Sequence, residues 1–101
     1  MEITKPQKGL YLFNKKFLNT EKTIIIGDID IEVSLKPYDD MKPQFDYLEF
    51  YIDEKLVAKI DTPPYQYHWT SSAFGNKNIK VKIFNENETL TRTIEAIVFK
   101  I

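Results

Sequence analysis

Residues 46–69 read DYLEFYIDEKLVAKIDTPPYQYHW, and this stretch decides the fold. Leu48, Phe50 and Ile52 alternate with Tyr47, Glu49 and Tyr51, which is the period of two of a strand with one buried face. Asp53-Glu54-Lys55 breaks the alternation sharply, and the apolar run that follows returns as a second strand. Pro63 and Pro64 then bar any central strand, because proline donates no ladder hydrogen bond. Beyond them Tyr65, Tyr67 and Trp69 oppose Gln66, His68 and Thr70, so the aromatic set is expected in the core.

The same period extends outward in both directions. Ile29, Ile31, Val33 and Leu35 oppose Asp28, Asp30, Glu32 and Ser34, and Ile79, Val81 and Ile83 oppose Lys80 and Lys82. Such strands belong to antiparallel sheets with one wet face. Breakers separate them: Pro6 and Gly9, the loop from Pro37 to Pro43, and Gly75. The short run SSAFG ending at Gly75 is the one place with room for a helical turn. About seven short strands in a chain of this length predict an all-β fold, an immunoglobulin-like sandwich of two antiparallel sheets. The expected core holds Leu48, Phe50, Ile52, Trp69, Ile79 and Val81.

Composition narrows the function. The chain has 101 residues, 43% of them hydrophobic, enough for one compact domain. Fourteen basic and fifteen acidic residues leave a net charge of -1, with no excess to hold a nucleic acid backbone. No apolar stretch approaches the ~20 residues that span a bilayer, and the N-terminus carries no signal-peptide core. Cysteine is absent, which removes disulfides, thiolate metal sites and cysteine nucleophiles.

Taken in order, ITKPQKGLYLF, TIIIGDIDIEV, LEFYIDEKLVAKIDTPPYQYHW and AFGNKNIKVKIFNENET resemble the Ig-like modules of bacterial and archaeal cell-surface and secreted proteins. The likeness runs through nearly the whole chain. It implies that residues 1–101 form a single Ig-like domain, one module of a longer chain in the cell envelope or outside the cell. It further implies a structural or interaction role, as spacer or in adhesion, with no catalytic residues and no cofactor. Two departures stand out. The modules it resembles commonly carry Asp-Gly in the hairpin where this chain has Asp53-Glu54, and a glycine in the loop where it has NENET, residues 85–89.

Candidate sites are few. His68 is the only histidine, it falls on the wet side of its strand, and no G-x-S-x-G elbow accompanies it, so no catalytic triad is expected. Asp39, Asp40 and Asp46 gather hard oxygen ligands around one loop, the donor type Ca²⁺ takes, although their spacing fits no calcium loop, Pro43 stiffens the segment, and a solvated charged loop is the favoured account of them. Tyr47 and Tyr51 share the outer face of one strand. A flat pair of exposed rings can stack a sugar, which makes a carbohydrate- or ligand-binding accessory module the alternative function, while tyrosine also simply favours strands. Asn87-Glu88-Thr89 is a glycosylation sequon at Asn87. Asp28, Asp30 and Glu32 are expected to make a solubilising surface. The partners implied are neighbouring domains or another surface protein, and polysaccharide under the alternative; nucleic acid and membrane insertion are not expected, and the isolated domain is expected to be a monomer.

Overall fold

The computed structural model describes residues 2–34, 46–84 and 89–101, and among them every regular element is a strand. In chain order these are β1 (Glu2–Lys5), β2 (Gly9–Leu12), β3 (Lys15–Leu18), β4 (Thr23–Ile26), β5 (Ile29–Ser34), β6 (Tyr47–Ile52), β7 (Lys55–Ile60), β8 (Gln66–Trp69), β9 (Ala73–Phe84) and β10 (Thr89–Lys100). They form a small sheet, β1-β5-β8, and a large one, β3-β2-β4-β10-β9-β6-β7. The sheets face each other across a single core, as expected of an Ig-like sandwich. Ile29, Ile31, Val33 and Trp69 supply it from the small sheet, and Ile25, Leu48, Phe50, Ile79, Val81 and Val98 from the large one. Tyr65, Tyr67 and Ile52 are half-buried against its margin. Each fully covered aliphatic or aromatic side chain contributes about 1.5–3 kcal/mol of transfer free energy, so the alternation in the sequence is itself the instruction to stack two sheets.

Three features depart from the expectation. The described residues form ten strand segments instead of about seven, because the N-terminal stretch yields an edge strand for the small sheet and then, past Pro6, a hairpin and a further strand for the large one. The pairing is not antiparallel throughout, since β4 runs parallel to both β2 and β10. The SSAFG stretch makes no helical turn. Ala73 and Phe74 already pair with Lys100 and Phe99, so the twelve-residue β9–β10 ladder claims the segment and Gly75 sits inside it with φ +93°. A long ladder overrides a weak local preference for a turn.

The tightest tie between the sheets is a lysine. Lys100 lies on the inward side of β10 in register with Ala96 and Val98, and it is only 1% exposed. Its ammonium donates to the Trp69 carbonyl of β8 at 2.8 Å and to Asp28 Oδ1 at 3.0 Å, and lies 5.3 Å from the Trp69 ring centroid. Asp28 belongs to the two-residue link by which the chain leaves β4 in one sheet for β5 in the other. Among the described residues no buried side-chain nitrogen or oxygen lacks a partner.

Two hairpins use non-glycine residues in the left-handed region. Asp53 and Glu54 have φ of 49° and 69°, and Phe13 and Asn14 have 47° and 76°. Both are two-residue turns with φ positive at both positions, the geometry that matches strand twist and ordinarily selects glycine. Asp53 is held there by its carboxylate, which accepts from the Asn78 amide at 2.8 Å, and by Lys77 at 3.2 Å. Glu54 has only an exposed ion pair to Lys80.

Two stability outcomes follow from these contacts. Asp28→Ala leaves a buried ammonium with one carbonyl acceptor and is expected to cost about 3 kcal/mol or more, whereas Lys100→Met orphans a single carbonyl and costs about 1–3 kcal/mol. Urea midpoints in the reverse order would show that the carboxylate does not neutralise the lysine. Glu54→Gly removes about 1–2 kcal/mol of left-handed strain against an exposed pair worth under about 1 kcal/mol. The midpoint should therefore hold or rise, and a clear fall would place the strain elsewhere.

Candidate functional site

The outer face of the large sheet carries the tyrosines singled out in the sequence. Tyr47 and Tyr51 project from β6 on the side away from Leu48 and Phe50, and both are half-buried. Tyr47 stacks on Phe84 of β9 with centroids 5.0 Å apart and planes 27° apart, and Lys59 of β7 lies 4.1 Å over its ring. Tyr51 donates its hydroxyl proton to Glu49, with Lys80 and Lys82 ammonium groups at 5.3 and 5.1 Å from its centroid. The Glu49 carboxylate, by holding that proton, raises the phenol above its ordinary range. Register explains the cluster: Glu49 lies opposite Lys59 on one side and Lys82 on the other, and Tyr51 opposite Lys80, so rings and lysines alternate across three strands. The pair is thus a cation–π lattice in which Lys59 covers one face of Tyr47.

A second polar group joins three elements. The Asn14 amide at the tip of the β2–β3 hairpin donates to Asp30 Oδ2 at 2.9 Å, while its carbonyl accepts from the Asp30 backbone N–H at 2.8 Å. The other Asp30 oxygen is hydrogen-bonded to His68 Nδ1 on β8. Burial pushes the Asp30 carboxyl upward, but the Asn14 and His68 hydrogen bonds and the nearby His68 and Lys5 charges together outweigh it and leave the group below its ordinary value. The row Asp28, Asp30 and Glu32 is therefore not merely a solubilising surface. Asp28 holds Lys100, Asp30 fastens a hairpin to the small sheet, and Glu32 lies 4.0 Å from Lys5.

The remaining candidates separate. Asp39, Asp40 and Asn87 lie outside the described residues; Asp46 is described, exposed, and donates its amide to the Phe84 carbonyl at 2.7 Å. Among the described residues no three histidine or acidic side chains gather to hold a metal. A groove of about 790 Å³ opens between β1, the entry to β4 and Ile94–Ile97 of β10. Its rim carries Glu2, Glu21 and Glu95 against Lys8, Lys22 and Lys77, a balance that favours neither anion nor cation. The Asn14–Asp30 tie had no signal in the sequence, because its partners are sixteen residues apart and meet only when the hairpin folds over β5. The asparagine at position 14 was a cue to the turn alone, since that residue type tolerates the left-handed region.

No family model matches the sequence, and no curated protein matches it significantly. Among solved structures, the fibronectin(III)-like modules of Clostridium thermocellum CbhA superpose with a TM-score of 0.65, at 14% sequence identity, over 98% of this chain and 95% of theirs. The likeness shows the fold: the chain is an Ig-like β-sandwich of fibronectin(III)-like form.

The Asp30 group carries a pH dependence. A carboxyl lowered by folding stabilises the native state fully above its unfolded value near 3.8 and loses that contribution as pH falls through the lower folded value. Asp53 is lowered in the same sense, first by the Asn78 amide and then by Lys77. Asp30→Asn should flatten the loss of stability below about pH 4 in urea titrations, and an acid limb identical to that of the wild type would remove Asp30 from the linkage.

Proposed function

We propose that this domain is a non-catalytic structural and interaction module of a larger cell-surface or secreted protein, acting as a spacer. The observation that carries the reading is where the chain enters and leaves. Glu2 pairs with Ser34 at one end of β5, whereas Lys100 reaches Trp69, which pairs with Ile29 at the other end, so the first and last strands open at opposite ends of β5. A sandwich with that connectivity sets whatever precedes it and whatever follows it apart by the length of β5. The chemically capable side chains support the same reading. His68, Asp30, Asp28 and Lys100 all bind across elements of the fold. The likeness to the CbhA modules, which is one of fold, fits a modular setting.

The test sets the spacer against a sugar-binding accessory module. The intact domain is incubated with insoluble cellulose, chitin and peptidoglycan, then titrated with soluble oligosaccharides, with and without Ca²⁺. No retention is expected, and replacing Tyr47 and Tyr51 together by Thr is expected to change only stability, by the few tenths to about 1 kcal/mol of cross-strand aromatic pairs. Retention that the double substitution abolishes would overturn the spacer reading.

A further inference from the structure

The other half of the large sheet's outer face has a different chemistry. On β2, β4 and β10 the residues that alternate with buried Tyr11, Thr23, Ile25, Ala96 and Val98 are Leu10, Leu12, Ile24, Ile26, Ile97 and Phe99. Strand register arranges them in two rows. Leu18, Leu10, Ile24 and Ile97 lie side by side across β3, β2, β4 and β10, and Leu12, Ile26, Phe99 and Phe74 do so across β2, β4, β10 and β9. These eight side chains include no charge, donor or acceptor; Lys15 of β3, opposite Leu12, and Glu95 of β10, on the same face as Ile97, border them. Phe74, Phe99 and Leu18 are 61%, 48% and 46% exposed, and Phe13 and Phe17 of the adjoining hairpin are 74% and 67% exposed.

We propose that this apolar half-face is an interface between two copies of the chain. Two properties select a second copy over another partner. A two-fold contact sets a surface against itself, so it must be self-complementary. The apolar rows meet that condition, whereas the other half of the same face would set Lys59, Lys80 and Lys82 against one another. The net charge of -1 also leaves little general repulsion between copies. Area agrees as well. At about 200 Å² per phenylalanine, the exposed fractions of Phe13, Phe74 and Phe99 come to roughly 370 Å². Leu18 and the half-buried aliphatic residues carry the patch toward the ~800 Å² per partner of a standard interface. A lone protein seldom leaves a contiguous apolar surface of that size uncovered.

The inference goes beyond the spacer reading, because it names a surface and its occupant. Sedimentation equilibrium from about 1 to 500 μM is expected to show a reversible dimer with Kd near 10 μM or tighter, within the range such areas support. Phe74→Lys with Phe99→Lys should weaken it at least 100-fold while far-UV circular dichroism stays unchanged, and Lys82→Glu on the other half should leave it intact. If the double variant fails to fold, Leu18→Lys on the edge strand β3 takes its place with the same expected loss. A strict monomer at about 500 μM, a dimer that survives these substitutions, or one broken by Lys82→Glu would each overturn the proposal. The outcomes are separable from those of the spacer test: a monomer that ignores polysaccharides removes the dimer alone, and a dimer retained on polysaccharide through Tyr47 and Tyr51 removes the spacer alone.

Discussion

The structure depends on one buried cation. The Lys100 ammonium, withdrawn from water at the end of β10, has its charge met by Asp28 and its hydrogen bonds by Asp28 and the Trp69 carbonyl. An ion removed from water without such partners would cost several kcal/mol, so the lysine fixes where those partners must be. Trp69 then has one backbone position and one ring position, and the β4–β5 link can cross between the sheets at one place only. Apolar side chains favour stacking two sheets but tolerate sliding; this contact does not. It sets the alignment of the sheets, and the core around Ile29 and Val98 packs within that setting.

What could be read from the sequence follows from how local each signal is. The buried alternation of β5, β6 and β9 was legible because a period of two is written in adjacent residues, and Leu48, Phe50, Trp69, Ile79 and Val81 are buried as that period requires. The Asp53-Glu54 turn was legible as a departure from glycine, and its strain is visible in φ. The N-terminal third was not. Four short strands arise there, β1 through its pairing with β5 and β4 through parallel pairings with β2 and with the distant β10. Lys100 was equally silent, since an amphipathic chain that ends a strand looks the same whether it points to solvent or inward. Of the site residues, Tyr47 and Tyr51 were placed on the right face, but the lysines that surround them come from β7 and β9 and could not be counted from β6 alone.

The outer face of the large sheet therefore divides in two for a physical reason. Where β6, β7 and β9 meet, rings and lysines alternate and satisfy one another, leaving a wet and basic surface. Where β3, β2, β4 and β10 meet, two rows of outward positions are aliphatic or aromatic, bordered by Lys15 and Glu95. The parallel register brings Ile24 beside Ile97 and Ile26 beside Phe99 without an offset. One sheet so presents a surface adapted to solvent and one adapted to exclusion of solvent, with the boundary running along β9 between Phe74 and Lys80.

The polar ties are not spread evenly over the sandwich, and their placement bears on how it would transmit force. Lys100 to Trp69 and Asn14 to Asp30 both join the large sheet to the small one near the pole where β10 ends. Tension applied between Glu2 and Lys100 would run along the strands, because the two lie at opposite ends of β5. On the exit side it would meet a twelve-residue ladder to β9 and the lysine clasp. On the entry side it would meet only the short β1–β5 pairing, interrupted by a bulge between Ile3 and Lys5. Hydrogen bonds loaded together in shear resist as a group, so β1 is the element that yields first, and the rest of the sandwich, held by Lys100 and its core, keeps its length after β1 has given way.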